Sequence, residues 1–508
     1  MQNASTNFFV FELFYTMSEK SISSVVLFAI TVIPNLSLAE AYWPQFRGPE
    51  GRSVAIDQSL PKSFGPKENV LWKTEIPEGH SSPAIWDDRI FITAYKDLKL
   101  LMICIRRSDG SILWLNERPI KELQRYSHKD SSASAPTPCT DGEQVAFLFG
   151  DYGLVVSDMD GNLIWDKAFL PSSSDFGYGA SPVLVDGKLL INCDGGLRPG
   201  LLCLDFKTGK ELWHAERPAT IISYSTPYIW PQGNRIEILQ SGSGSIASYD
   251  LSNGEAIWHV TELPGFTCPS PVASDDKVYF GAWTTAHVTG STRVESLFSE
   301  DDQLTPEQLA SFPAFMDRFD KNKDGKIAPM EFPPSRAQDA FNFNDQDQSG
   351  YWEKKEIAPL FENSARSLRG RNILVSISAG GKGDITETHV NWEKRKALPY
   401  VASPLLYQDR LYYVKKGGYL TAIHPISGEP FFESKKIGAS GEYYASPIGV
   451  DGQILVASKE GIITLFKASD EFEIIKKIDM EESILSSPAI VDDTLYLRTG
   501  SHLWAFRG

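Results

Sequence analysis

Apolar and polar positions alternate along most of this chain in short runs, broken by turn residues about every eight to twelve positions. The unit is clearest in Val183-Leu184-Val185, Asp186-Gly187, residues 188–192, residues 201–205, Lys207-Thr208-Gly209-Lys210 and Glu211-Leu212-Trp213. Alternation with a period of two predicts four short strands. Asp-Gly and Thr-Gly supply the positive-φ positions that tight hairpins require. The ending recurs as Ser108-Asp109-Gly110-Ser111-Ile112-Leu113-Trp114, as Asp160-Gly161-Asn162-Leu163-Ile164-Trp165 and as Ser252-Asn253-Gly254-Glu255-Ala256-Ile257-Trp258. It softens later to Phe431-Phe432 and then to Ile474-Ile475.

Each unit opens on Ser or Thr followed by Pro: Ser82, Thr137, Ser181, Thr226, Ser270, Ser403, Ser446 and Ser487. The prolines are spaced by 55, 44, 45, 44, 133, 43 and 41 residues. A repeat of about 40 to 50 residues built from short strands predicts propeller blades. The fold class is therefore all-β, an eight-bladed β-propeller. The last unit lacks a fourth strand, and Asn69-Val70-Leu71-Trp72-Lys73 stands before the first Ser-Pro at the spacing a fourth strand needs. The N-terminal strand is predicted to complete the last blade, which removes an open sheet edge.

The long interval leaves room for an inserted module of roughly 90 residues in blade five. Four segments result: a leader over 1–41, blades over 42–284, the insertion over 285–370 and the remaining blades over 371–508. The insertion is acidic and helix-compatible. Thr305 and Pro306 mark a helix start, predicted to run to Phe319. Then comes Asp320-Lys321-Asn322-Lys323-Asp324-Gly325-Lys326-Ile327-Ala328-Pro329-Met330-Glu331, followed by Asp345-Gln346-Asp347-Gln348-Ser349-Gly350-Tyr351-Trp352-Glu353-Lys354-Lys355-Glu356. Both match the twelve-residue EF-hand loop, with oxygen ligands at positions 1, 3 and 5, Gly at 6 and Glu at 12.

Calcium takes six to eight hard oxygens around a sharp turn, and this pattern provides them. The candidate ligands are Asp320, Asn322, Asp324, the Lys326 carbonyl and Glu331, then Asp345, Asp347, Ser349, the Tyr351 carbonyl, Glu353 and Glu356. The second loop carries one more carboxylate and is expected to bind more tightly. Ala328 leaves position 9 of the first loop to water, and Trp352 stands where an aliphatic residue is usual. One short helix, about 335–343, is expected to serve both loops.

The chain of 508 residues carries 49 basic and 65 acidic side chains, a net −16. That balance argues against nucleic acid or an anionic membrane as the main partner. Ser18-Glu19-Lys20, an apolar run over 22–38 and Ala39-Glu40-Ala41 read as a secretory signal that starts at Met17. The protein is then exported, periplasmic or extracellular, with no membrane span after signal removal. A retained anchor is the alternative, though Pro34 and Asn35 interrupt a run already short for a bilayer. Five cysteines are too few for a disulfide framework. Cys193 and Cys203 could face one another across a hairpin or lie buried as small residues.

The stretch Asp205-Phe206-Lys207-Thr208-Gly209-Lys210-Glu211-Leu212-Trp213 resembles the tryptophan-docked repeat of the PQQ-like, quinoprotein dehydrogenase-like, eight-bladed propellers. The leader Trp43-Pro44-Gln45-Phe46-Arg47-Gly48-Pro49 is similar to the segment that opens many exported propellers of that kind. The resemblance covers about residues 43–285 and 371–508. In the enzymes of the family it implies an adjacent-cysteine ring, a catalytic aspartate and a calcium ion shared with pyrroloquinoline quinone. None can be placed here, since no two cysteines are adjacent. The quinone is thus a cofactor that the family allows and these residues leave unsupported, and no catalytic residue is assigned. His80, Tyr178, Tyr224, Tyr400, Tyr443 and Tyr444 just precede the Ser/Thr-Pro pairs and are placed at the channel mouth, with the loop 124–130 beside them. Aromatic rims bind glycans, peptides and planar molecules, or else pack between blades. His128 and Asp130 are expected to be solvated. The reading is an exported, non-catalytic scaffold that binds calcium and takes a protein, glycan or small molecule at its mouth. A divergent quinoprotein dehydrogenase, or a glycan-binding or glycan-processing propeller, is the alternative.

Overall fold

The computed structural model describes residues 42–122, 128–169, 177–196, 198–217, 223–284, 304–305, 307–308, 311–333, 336–339, 341, 345, 348–358, 361 and 370–508. The signal segment, residues 124–127 of the mouth loop and Asp347 lie outside them. The described strands form eight sheets, each built on four antiparallel strands. In blade three these are Val183–Val185, Lys188–Asn192, Gly200–Asp205 and Glu211–Glu216. The second and third strands are buried almost throughout, and the fourth alternates at the rim. In the sheet of His502–Phe506 the outermost strand is Val70–Glu75, paired antiparallel to it.

The Ser/Thr-Pro pairs build a closed circuit round the axis. The Ser or Thr that leads into each first strand lies outside the strand pairing, so its N–H needs an acceptor. The hydroxyl of the next blade provides it. Ser82 N–H donates to Thr137 Oγ1 at 2.9 Å, Thr137 to Ser181 Oγ at 3.0 Å, Ser181 to Thr226 Oγ1 at 2.9 Å and Thr226 to Ser270 Oγ at 3.2 Å. Ser270 then donates to Ser403 at 3.0 Å, Ser403 to Ser446 at 3.2 Å, Ser446 to Ser487 at 2.9 Å and Ser487 back to Ser82 at 3.0 Å. All eight residues are buried. The step from Ser270 to Ser403 passes over the insertion as though it were absent.

Tryptophans fasten the outer seams. Trp72, Trp114, Trp165, Trp213 and Trp392 each donate Nε1–H to a carbonyl of the following blade, at 2.8 to 3.0 Å. Each ring lies on the turn glycine of that blade, respectively Gly110, Gly161, Gly209, Gly254 and Gly428. Any Cβ there would stand within 3 Å of the indole, and all five glycines have positive φ. Trp258 differs: it is buried and donates to Glu237.

The leader fills one end of the channel. Tyr42–Trp43 pairs with Ala84–Trp86 of blade one. Pro44 O accepts from Thr140 of blade two, and Gln45 Oε1 from Leu184 of blade three. Arg47 donates to Pro404 O of blade six, and Ser53 Oγ to Pro447 O of blade seven. Gln58 and Ser59 bond Asp493 of blade eight. Trp86, Thr140 and Asp493 all lie where first strands turn into second strands, so the leader closes the end of the channel away from the Ser/Thr-Pro lead-ins.

Residues 283–372 separate the second and third strands of blade five, Lys277–Ala282 and Ile373–Ser378. Thr284 and Asn372 bond each other at the base. The helix expected from Thr305 to Phe319 is interrupted: residues 307–308 are helical, Ser311 is not, and Ser311 caps a helix over Phe312–Phe319. Pro313 has no N–H to give a helix interior, so a regular helix can only begin beside it. Thr305 still caps its own turn, accepting from Gln308 N–H at 3.2 Å.

Candidate functional site

The two twelve-residue loops share one internal hydrogen-bond pattern. The position 1 aspartate accepts from the N–H groups of positions 5 and 6: Asp320 from Asp324 and Gly325 at 3.1 and 2.9 Å, Asp345 from Ser349 and Gly350 at 2.9 and 2.8 Å. The position 5 side chain accepts from position 7, Asp324 from Lys326 and Ser349 from Tyr351. The position 12 glutamate accepts from position 9, Glu331 from Ala328 at 2.7 Å and Glu356 from Glu353 at 2.9 Å. Positive φ falls at positions 4 and 6 of both, on Lys323 and Gln348 and on Gly325 and Gly350. At position 8 the loops join each other, Ile327 N–H to Trp352 O at 3.0 Å and Trp352 N–H to Ile327 O at 2.8 Å.

A buried aromatic cluster holds this pair. Trp352 stacks on Phe341 at 5.2 Å, meets Phe332 at 4.9 Å and donates Nε1–H to Phe341 O. A tryptophan at position 8 therefore serves as a core residue. Glu353, at position 9 of the second loop, meets two lysines. Its carboxylate pairs with Lys326 at 2.6 Å and Lys355 at 3.2 Å, and these bonds hold it below the usual carboxylate range. Asn322 Nδ2 donates to Asp324 at 3.0 Å. Among the described residues no group of three His, Cys, Asp or Glu side chains stands together as a metal cluster. The oxygens these loops offer include an amide, a hydroxyl and backbone carbonyls as well as carboxylates.

The channel mouth holds a second polar group. Asp130 is half-buried, and it accepts from Tyr444 OH at 2.9 Å and from Lys459 Nζ. The loop before blade two thus reaches blade seven, and the expectation that Asp130 is solvated is corrected. Burial pushes its carboxyl up, but the Lys459 and Tyr444 bonds outweigh this and hold it below its ordinary value. His128 remains exposed and accepts from Asp130 N–H. Burial, with the Arg498 guanidinium nearby, takes His80 down to about 4 against the pull of Asp130. The buried Arg498 itself donates to Ser81 O and Oγ, Thr93 O and Pro77 O.

The aromatic rim divides. Tyr178 and Tyr443 are buried and bond Asn192 O and Ala439 O. Tyr224, Tyr400 and Tyr444 stay half-exposed, and Trp283, partly exposed, meets Tyr400 edge-on at 5.8 Å. The cysteines stand apart and free. Cys203 pairs with Leu190 across the hairpin, while Cys193 faces Gly200, so that hairpin sets no disulfide. Near the mouth Lys459 pairs with Asp130 and Lys416 with Glu442, while the buried Arg498 meets only carbonyls and the Ser81 hydroxyl and its Nε has no partner among the described residues.

No curated protein sequence matches the chain. The family model described as outer membrane protein assembly factor BamB matches residues 65–176 and 156–293. Among solved structures, BamB from Moraxella catarrhalis aligns with a TM-score of 0.51 at 12% identity, over 86% of this chain and 99% of that one. The quinohemoprotein alcohol dehydrogenase of Comamonas testosteroni aligns with 0.51 at 10%, over 92% and 80%. A europium-containing methanol dehydrogenase aligns with 0.53 at 9%, over 92% and 98%. At such identities the likeness is one of fold. No helix among the described residues is long and apolar enough to cross a membrane. The chain is an all-β propeller of eight blades, and its residues 65–293 match the BamB family model.

Proposed function

We propose that this chain is an exported, non-catalytic scaffold that binds calcium through two EF-hand loops and receives a protein, glycan or small molecule at its mouth. The observation that carries the calcium reading is the repetition of one hydrogen-bond pattern at the same positions of both loops, joined through Ile327 and Trp352. The ligands would be the oxygens of Asp320, Asn322, Asp324 and Glu331 in the first loop and of Asp345, Ser349 and Glu356 in the second, with the Lys326 and Tyr351 carbonyls. Asp347 is expected to add a carboxylate to the second. Calcium would supply the charge that these carboxylates lack and staple the module above blade five. An affinity of about 10⁻⁴ to 10⁻³ M suffices outside the cytoplasm. The scaffold reading rests on the leader, which closes one end of the channel, and on the pairing of Asp130 with Lys459 and Tyr444 at the mouth. Export fits the signal-like N-terminus and the BamB match.

Terbium, a calcium mimic excited through Trp352 and Tyr351, tests the metal site. Sensitised emission should appear on binding, fall on addition of calcium and be lost mainly in Glu356→Gln. Emission that never rises, or that is unchanged in both Glu356→Gln and Glu331→Gln, removes the calcium reading. Addition of pyrroloquinoline quinone and calcium tests the scaffold reading. A stoichiometric quinone spectrum with dye reduction would overturn it.

A further inference from the structure

We propose that a small monovalent anion, with chloride as its simplest form, binds on the propeller axis between Arg47 and the hydroxyls of Thr226 and Ser270. Arg47 is 1% exposed. Its Nη2 donates to Pro404 O at 2.7 Å, while Nε and Nη1 have no partner among the described residues. No carboxylate lies within ion-pair distance of it there. Burial lowers the guanidinium to about 10, so it stays charged at neutral pH. A buried cation with two idle donors and no counter-charge costs several kcal/mol.

The surroundings say where a counter-ion would sit. A cavity beside Arg47 is lined by Gln45, Phe46, Glu50, Thr226, Tyr228 and Ser270, and the Glu50 carboxylate is held by Arg52 at 2.7 Å. Its volume of about 10 Å³ is the lower limit for one water-sized guest, so chloride, wider than water, would need the lining to give slightly and phosphate would not enter. Thr226 Oγ1 and Ser270 Oγ have each accepted one N–H in the hydroxyl circuit. Their own hydrogens have no acceptor among the described residues and remain to be donated. The leader also bonds blades one, two, three, six, seven and eight. Among the described residues it makes no hydrogen bond to blades four and five, whose Thr226 and Ser270 face the cavity. An anion there would join Arg47 to the two blades that the leader does not hydrogen-bond.

The experiment uses the full chain at constant ionic strength, with chloride replacing gluconate. The unfolding midpoint should rise with chloride and level off, as mass action on a native-state site requires. Arg47→Gln should abolish the saturable rise, and Arg47→Lys should keep part of it. Crystals grown in bromide should show an anomalous peak in contact with the Arg47 guanidinium. A midpoint indifferent to chloride, or equally responsive in Arg47→Gln, overturns the proposal. So does a bromide map with only water beside Arg47, and that map decides alone if the Arg47 variants fail to fold.

Discussion

Gly209 and Gly187 offer a controlled test of the tryptophan seams. Both have φ +69°, but a Cβ at Gly187 meets nothing within 4 Å, whereas one at Gly209 lies 2.8 Å from Cδ2 and Cε3 of Trp165. Placing alanine in a left-handed conformation costs about 1 kcal/mol. Gly187→Ala should cost that and little more. Gly209→Ala must also push the indole off the turn. It then loses the 2.9 Å bond from Trp165 Nε1 to Phe206 O, worth about 1 kcal/mol, and the ring contact, worth about another 1 kcal/mol. The expected losses are thus about 1 and about 3 kcal/mol. Equilibrium urea denaturation reads them as midpoint shifts at constant slope. In a Trp165→Ala background the Gly209→Ala penalty should shrink to that of Gly187→Ala, a coupling of about 2 kcal/mol. Equal penalties for the two glycines in the unaltered protein would refute the idea that the indole-on-glycine contact holds the seam.

Ser487→Ala removes the acceptor of the buried Ser446 N–H and should cost about 1 to 3 kcal/mol. Ser487→Thr should cost far less, because threonine already serves at 137 and 226; equal losses in thermal melts would count against the circuit. Acid should weaken the fold through His80, whose folded value of about 4 lies below its ordinary 6.5. Between those values the unfolded chain binds a proton that the folded chain refuses, so stability falls as pH drops from about 6.5 to 4, by at most about 3 kcal/mol. Stability measured across that range in His80→Gln should lose this slope. The thiols of Cys104, Cys193, Cys203 and Cys268 are pushed up to about 12 by burial. A thiol-reactive dye should label none of them until denaturant is added, and rapid native labelling would contradict their placement.

Local chemistry made much of this fold legible. Turn glycines such as Gly209 and Gly254, the tryptophans before the next blade and the Ser/Thr-Pro lead-ins all announce themselves within a few residues. So do the repeated oxygens and glycines of the two loops. What escaped the sequence lies between residues far apart. Asp130 meets Lys459 and Tyr444 across more than 300 positions, and no periodicity marks such a pair. The leader was recognisable as a motif, but its contacts with six blades follow from closure of the ring. The break at Ser311 is hidden in the sequence because Thr305 caps well and the apolar spacing runs on past Pro313. The lysines that meet Glu353 are likewise unmarked, since Lys326 comes from the other loop.

Joining the last blade to the first has a consequence for how the protein is made. Ser487 N–H reaches Ser82 Oγ over 405 positions, and Val70–Glu75 finds its partner only in His502–Phe506. A chain emerging from the ribosome carries that early strand unpaired through nearly all of synthesis, and Ser59 waits for Asp493 in the same way. Bringing such distant ends together costs about 5 kcal/mol of chain entropy, recovered only when the final strands arrive. Truncation within the last blade should therefore give an open, aggregation-prone chain in place of a smaller propeller. The seam acts as a proofreader, admitting to the folded state only a chain that carries the strands of the last blade.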